Sequence, residues 1–231
     1  MSHVLACTLN DILMSTLAGA LGRYLESRKY PVAGVTIRAA VPVNLRGAGD
    51  PQPSMGNRFG LVFVDLPIGI RHPLMRLYAV RATIQNLKHS PQALITLGLL
   101  SLIGSLPATA AEPMIALFSS KASVVASNLP GPSRPLYLAG AAVSQLLFWV
   151  PQAGDIGIGV SMLSYDDRVQ FGVIADRSLI PEPADLVAEI GVEFERLVLL
   201  VLLGGGAVAP APPVKRHRAA PSRRRTAPSH R

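Results

Sequence analysis

The chain has 231 residues, enough for one or two domains with a hydrophobic core. Apolar residues make up 49% and charged residues 16%, which excludes intrinsic disorder for most of the sequence, because a disordered chain is poorer in large apolar side chains and richer in charge. The net charge of +8 sits at one end: residues 215–231 carry seven basic side chains and no acid, leaving 15 basic against 14 acidic residues elsewhere.

Residues 9–27 repeat Ile12, Leu13, Leu17, Ala20, Leu21, Tyr24 and Leu25 at helical spacing. Thr8 or Asn10 can cap this helix, and Asp11 in its first turn suits the helix dipole. Val35, Ile37, Ala39, Val41 and Val43 then alternate as in a strand, and Pro42 places its end at an edge or a break. Residues 46–57, rich in Gly, Pro, Asp and Ser, read as a loop. Residues 59–66 read as a second strand, whose near-continuous apolar run suggests burial on both faces.

Residues 73–90 form an amphipathic helix with Leu74, Leu77, Tyr78, Ile84 and Leu87 on one stripe and Arg76, Arg81 and Lys88 elsewhere. Residues 90–111 carry no charge and reach the length of a spanning helix. Gly98, Ser101, Gly104, Ser105, Pro107 and Thr109 interrupt them, so buried or interfacial helices are expected, continuing to about Phe118. A strand over 122–129 runs into Pro130-Gly131-Pro132, which must turn. Residues 136–150 read as extended, and 156–164 and 169–176 as a hairpin joined around Asp166-Asp167. A final helix over 183–203 ends at Gly204-Gly205-Gly206. Residues 207–231 have no apolar periodicity and read as a disordered Pro/Arg-rich basic tail. The order of elements points to an α/β fold with a mixed sheet covered by helices over residues 1–206, followed by the tail at 207–231.

The single cysteine, Cys7, offers no disulfide framework and no cysteine-based zinc site, which fits a reducing cytoplasm. The N-terminal stretch lacks a basic n-region and a long apolar h-region, so no secretory signal peptide is expected. The sequence holds no Gly-x-Ser-x-Gly elbow, P-loop or His-Glu-x-x-His, and Gly154, Gly157 and Gly159 read as packing or turn residues. The histidines are His3, His72, His89, His217 and His230; none forms a His-His pair, and His72 and His89 read as surface residues. No metal site is expected.

Three segments are more specific in combination. The first is Asn10-Asp11-Ile12-Leu13, running into Ala18-Gly19-Ala20-Leu21-Gly22-Arg23-Tyr24-Leu25. The second is Val41-Pro42-Val43-Asn44-Leu45-Arg46, followed by Gly56-Asn57-Arg58-Phe59-Gly60. The third is Ser127-Asn128-Leu129-Pro130-Gly131-Pro132, followed by Ser164-Tyr165-Asp166 and Phe171-Gly172-Val173-Ile174-Ala175-Asp176. Each alone is an ordinary helix, strand or turn. In this order they resemble the C-terminal region of the wax ester synthase/diacylglycerol acyltransferase family, from about Leu9 to about Leu200. Asp167 stands where that pattern leads one to expect glycine, and the basic tail is not part of it.

The resemblance implies the C-terminal lobe of a chloramphenicol acetyltransferase/condensation-domain-like fold, two such lobes enclosing a substrate tunnel. It implies acyl transfer from acyl-CoA, as substrate and without a cofactor, to diacylglycerol or a long-chain alcohol. The family's general base lies in a His-His-x-x-x-Asp-Gly motif of the N-terminal lobe, and that motif is absent from these 231 residues. The chain is therefore expected to need a partner N-terminal lobe for chemistry, because substrate binding without the base does not lower the proton-transfer barrier. The family's Asn-Asp pair falls on Asn10 and Asp11, which either support the site or cap a helix. Ser127, Asn128, Pro130, Gly131 and Pro132 either line the tunnel or the CoA site, or form a structural turn. A non-catalytic remnant or interaction module, held peripherally on a membrane or lipid-inclusion surface, is the alternative; there the tail adds about 1 kcal/mol per cation near anionic lipid. Specific nucleic-acid binding is not expected, since no aromatic residue interleaves the tail and no folded nucleic-acid motif is present.

Overall fold

In the computed structural model, residues 4–45, 59–88, 90–152 and 154–204 are described. The loop expected at 46–57, the Gly56-Asn57-Arg58 motif, the tail at 207–231 and His3, His89, His217 and His230 lie outside them.

Helix α1 (Leu9–Ser27) spans the expected residues, and Thr8 rather than Asn10 caps it. The Thr8 hydroxyl accepts from the Asp11 N–H at 3.2 Å, while the Asp11 carboxylate accepts from the Thr8 N–H at 2.9 Å. This reciprocal box satisfies two donors that the first helical turn leaves free. Most of α1 is buried, and Leu17, Ala18 and Ala20 are fully so.

Strands β1 (Ile37–Asn44), β2 (Phe59–Leu66), β3 (Val124–Pro130), β6 (Ile158–Tyr165) and β7 (Arg168–Ala175) make one mixed sheet in the order β2-β1-β3-β6-β7. β1, β3 and β6 run parallel, and the outer strands pair antiparallel to their neighbours. Helices α1, α2 (Pro73–Lys88) and α5 (Pro183–Leu203) pack together on one face, where Val62, Val64, Ala39, Val124, Ala126, Val160 and Met162 join the main core. Helices α3 (Gln92–Gly104) and α4 (Ala108–Ser119) lie toward the other face.

Two expectations need correction, on the burial of β2 and of Arg76. β2 is not buried on both faces: Gly60, Val62, Val64 and Leu66 are buried, while Leu61 and Phe63 are half-buried and Phe59 and Asp65 exposed. It is an edge strand, and α3 covers its outer edge. The Leu61 N–H donates to the Thr96 hydroxyl at 2.9 Å, that hydroxyl donates to the Leu61 carbonyl at 2.7 Å, and the Phe63 N–H donates to Gln92 at 3.2 Å. These bonds supply partners that a bare edge would expose.

Pro42 lies inside β1, and as expected the end of that strand is an edge, unpaired on the β3 side beyond Ala40. The partner of Pro42, Leu61, turns its backbone groups outward to Thr96, so the missing Pro42 N–H falls on the β3 side. There β3 pairs only with Ala39 and Ala40, and no ladder bond is lost. Arg76, expected on the polar side of α2, is 2% exposed.

The segment expected as extended from Leu136 to Val150 holds one small ladder, β4 (Tyr137–Leu138) against β5 (Ala141–Ala142). Buried Tyr165 pins its base: the phenol accepts from the Leu136 N–H at 2.8 Å and donates to the Val143 carbonyl at 2.7 Å. The β6–β7 turn places Asp166 and Asp167 at φ 48° and 58°, the left-handed pair a two-residue hairpin demands.

Candidate functional site

Side chains alternate across a strand, so neighbouring residues of β1 and β3 serve opposite faces. Ala39, Val124 and Ala126 enter the helix-covered core, whereas Ala40, Val125 and Ser127 border a cavity of about 410 Å³. Leu61 and Phe63 of β2 form one wall. Leu100 and Ile103 of α3 with Ile115 and Phe118 of α4 form the roof, and Phe148, Trp149 and Val150 close a side. Phe118 meets Phe63 with ring centroids 5.3 Å apart, in a tilted pair favourable for two quadrupoles.

The lining is almost entirely apolar. Of its polar side chains, Ser119 donates to the Ala116 carbonyl at 3.0 Å and Gln152 to the Ile174 carbonyl at 3.2 Å. The Ser127 hydroxyl bonds to no described residue, although Ser127 is 7% exposed. A cavity of this kind takes a hydrocarbon chain and offers one hydroxyl to a polar group on it.

A second cavity of about 450 Å³ lies on the opposite face, where Asn10 and Met14 of α1 meet Val41, Val43, Val62 and Ile84. The structure brings two candidates together here: the Asn128 amide donates to the Asn10 side-chain oxygen at 3.3 Å. Ser127 and Asn128, adjacent in sequence, thus serve different faces. Asp11 is buried in the helix cap and lines neither cavity. Pro130-Gly131-Pro132 also lines neither. The Gly131 N–H donates to the Ser164 carbonyl at 2.8 Å, and the Asp166 N–H donates to the Pro132 carbonyl at 3.1 Å, so the turn locks β3 onto the β6–β7 hairpin. A Cβ at position 131 would sit 2.3 Å from that Ser164 carbonyl, which demands glycine.

One buried polar cluster escaped the sequence reading. Arg76 of α2 bonds Glu193 of α5, Arg196 reaches the same carboxylate at 2.7 Å, and the Arg76 guanidinium also donates to the carbonyls of Ser15 and Ile70. Burial pushes the Arg76 guanidinium down against the opposing pull of Glu193. Gly19 of α1 admits the pair, since a Cβ there would lie within 2.6 Å of both side chains. The available signal was Glu193 itself, an acid on the Leu186, Ile190, Leu197 stripe. The cluster staples three helices and faces neither cavity.

His72 is exposed and borders neither cavity. Among the described residues, no group of three or more His, Cys, Asp or Glu side chains could hold a metal ion, and no helix is long and apolar enough to cross a membrane.

Residues 55–198 match the family model described as WS/DGAT C-terminal domain. The chain is 29% identical over 197 residues to the Mycobacterium tuberculosis protein named "Probable diacyglycerol O-acyltransferase tgs1", covering 84% of this chain and 42% of that protein. It is 27% identical over 191 residues to the O-acyltransferase WSD of Acinetobacter baylyi, covering 81% of this chain and 41% of that protein. The chain thus spans about two-fifths of the length of these curated relatives. Among solved structures, the wax ester synthase/diacylglycerol acyltransferase from Marinobacter aquaeolei VT8 superposes with a TM-score of 0.62 at 22% identity, over 87% of this chain and 45% of that one. The epimerization domain of tyrocidine synthetase B superposes with a TM-score of 0.53 at 15% identity, over 88% of this chain and 43% of that one. The expected fold class therefore stands.

Proposed function

The chain belongs to the WS/DGAT C-terminal domain family, and on that premise we propose that it is the second lobe of an O-acyltransferase that moves an acyl group from acyl-CoA to diacylglycerol or a long-chain alcohol. In that reaction the acceptor oxygen attacks the thioester carbon, the C–S bond breaks, and the acceptor proton passes through a general base to the departing thiolate. No described residue bordering either cavity is a histidine, and the sequence holds no His-His-x-x-x-Asp-Gly. The base is therefore assigned to a first lobe, and this chain supplies binding and positioning.

The observation that carries the reading is the apolar cavity against Ala40, Val125 and Ser127. It suits one alkyl chain, each buried methylene of which contributes about 0.8 kcal/mol. Ser127 offers its hydroxyl to the polar end of that chain, and the Asn10–Asn128 pair holds the start of α1 against the end of β3.

Trp149, the single tryptophan, lines this cavity and reports its occupancy. Titration with hexadecanol or palmitoyl-CoA should shift its fluorescence saturably, and Val125→Phe, which fills the cavity floor, should weaken binding at least tenfold with the circular dichroism unchanged. An identical titration for the two proteins would remove the cavity from the reading. Incubated with acyl-CoA and diacylglycerol, the purified chain should give no turnover; measured turnover would overturn the assignment of the base to another lobe.

A further inference from the structure

We propose that the recess where α1, α2 and α5 meet is a binding site for a phosphate group, either the free ion or a phosphate carried by a small soluble molecule. The recess shares no lining residue with the alkyl cavity or with the cavity at Asn10.

It encloses about 310 Å³ and is walled by Arg23 of α1, Arg71 just before α2, Arg76 within α2 and Arg196 of α5. Its only apolar side chains are those of Ile68 and Ile70. The buried Arg76–Glu193 pair also lines it, with side chains 2% and 0% exposed. The site is therefore anchored on charged groups that the fold holds in place.

Positive charge is in surplus there. Glu193 alone meets three guanidinium groups: Arg76, Arg196 at 2.7 Å and Arg23 at 3.7 Å. Glu189 offsets Arg23, and Glu26 offsets Arg71. Four arginines thus face three carboxylates. Burial holds the Arg76 guanidinium below its usual range, Glu193 pulls it back, and Arg196 and Arg23 push it down again. An anion in the recess relieves that repulsion, and a partly enclosed site screens the attraction less than open water does.

The arginines also keep donors without acceptors. Arg23 donates its Nε–H to Glu189, Arg196 an Nη1–H to Glu193, and Arg71 its Nε–H to Glu26. No hydrogen bond to a described residue uses Nη1 or Nη2 of Arg23, Nε or Nη2 of Arg196, or Nη1 of Arg71. These groups come from three separate segments around one space. A planar carboxylate matches a single guanidinium fork, whereas a phosphate presents acceptor oxygens in several directions and can serve three arginines together. The volume exceeds that of a bare phosphate ion, which leaves room for an organic remainder.

Calorimetric titration of the 231-residue chain with inorganic phosphate, glucose 6-phosphate and acetate tests this. Phosphate should bind saturably at one site per chain, and acetate at least tenfold more weakly. Tighter binding of the sugar phosphate would identify a phosphomonoester as the ligand, and tighter binding of inorganic phosphate the free ion. The double variant Arg71→Gln, Arg196→Gln keeps the buried Arg76–Glu193 pair. It should lose at least tenfold in phosphate affinity while its urea midpoint without phosphate stays near that of the wild type. Arg71→Gln alone, at a side chain 83% exposed, should lose part of that affinity without touching the helix contacts. Because the basic tail also attracts anions, the variant Arg223→Gln, Arg224→Gln, Arg225→Gln is the control and should bind as the wild type does. Absence of saturable phosphate binding overturns the proposal. So does equal affinity of wild type and double variant, or a loss confined to the tail variant. Acetate binding as tight as phosphate overturns the choice of phosphate.

Discussion

On one face of the five-stranded sheet, Ala39, Val64, Val124, Ala126 and Val160 pack beneath α1, α2 and α5. On the other, Ala40, Phe63, Val125 and Ser127 look into about 410 Å³ of space under α3 and α4. The same strands build both faces, so the difference lies in what covers them. The first cover is amphipathic and stapled by Arg76 and Glu193, although the buried Ser15 and Tyr24 hydroxyls of α1 have no hydrogen-bond partner among the described residues. The second is a hairpin without ion pairs among its described residues, joined to the sheet by Thr96, Gln92 and the Phe63–Phe118 contact. One face therefore holds the fold, with its own cavity of about 450 Å³ at the Asn10 end, and the other is a cavity under a lightly attached roof.

This contrast can be broken in three places. The largest effect is expected on the packed face: Arg76→Met takes from the Glu193 carboxylate its buried partner, leaving it to Arg196 and, at 3.7 Å, Arg23, and should cost about 3 kcal/mol by urea denaturation. The double variant Arg76→Met, Glu193→Leu should recover most of that loss, since an apolar pair of similar volume removes the buried charge. If it is no more stable than the single variant, the pair is worth more than its desolvation.

Next comes a matched truncation. Leu17→Ala, at a fully buried site, should cost about 2–5 kcal/mol. Ile115→Ala, on the cavity roof, should stay within about 0.5 kcal/mol, as a surface substitution does. Equal losses would mean that the roof is core and that the cavity is not a binding space.

A third variant sharpens the boundary between the two. Thr96→Val keeps the shape of the side chain but removes the hydroxyl that serves both backbone groups of Leu61. The loss should be about 1–3 kcal/mol, the desolvation cost of an unpaired backbone group, if the edge stays dry. Faster hydrogen exchange at the Leu61 amide, with the β3–β6 amides unchanged, would localise it to the edge.

Much of the fold is legible without coordinates because its signals are local. The α1 periodicity, the Asp166-Asp167 hairpin and the final helix ending at Gly204 depend on residues within a turn or two of each other. The family is legible for a related reason: Asn10-Asp11, Val41-Pro42-Val43-Asn44 and Ser127-Asn128-Leu129-Pro130 are short motifs in a fixed order. The site is less so. Asn10 and Ser127 line the cavities and Asn128 bonds Asn10, but Asp11 is spent on a helix cap and Pro130-Gly131-Pro132 on a turn.

What tertiary structure alone decided are pairings between distant parts of the chain. Arg76 and Glu193 lie 117 residues apart, and nothing within α2 shows that an arginine there will meet a carboxylate. The burial of β2 depended on whether its neighbour was a strand or a helix, and a helix edge built from Gln92 and Thr96 has no period to read. The cavity, too, is a property of α3 and α4 standing off the sheet. Sequence set the apolar character of that hairpin, but how far it is left uncovered depends on packing between elements, which hydrophobicity alone does not encode.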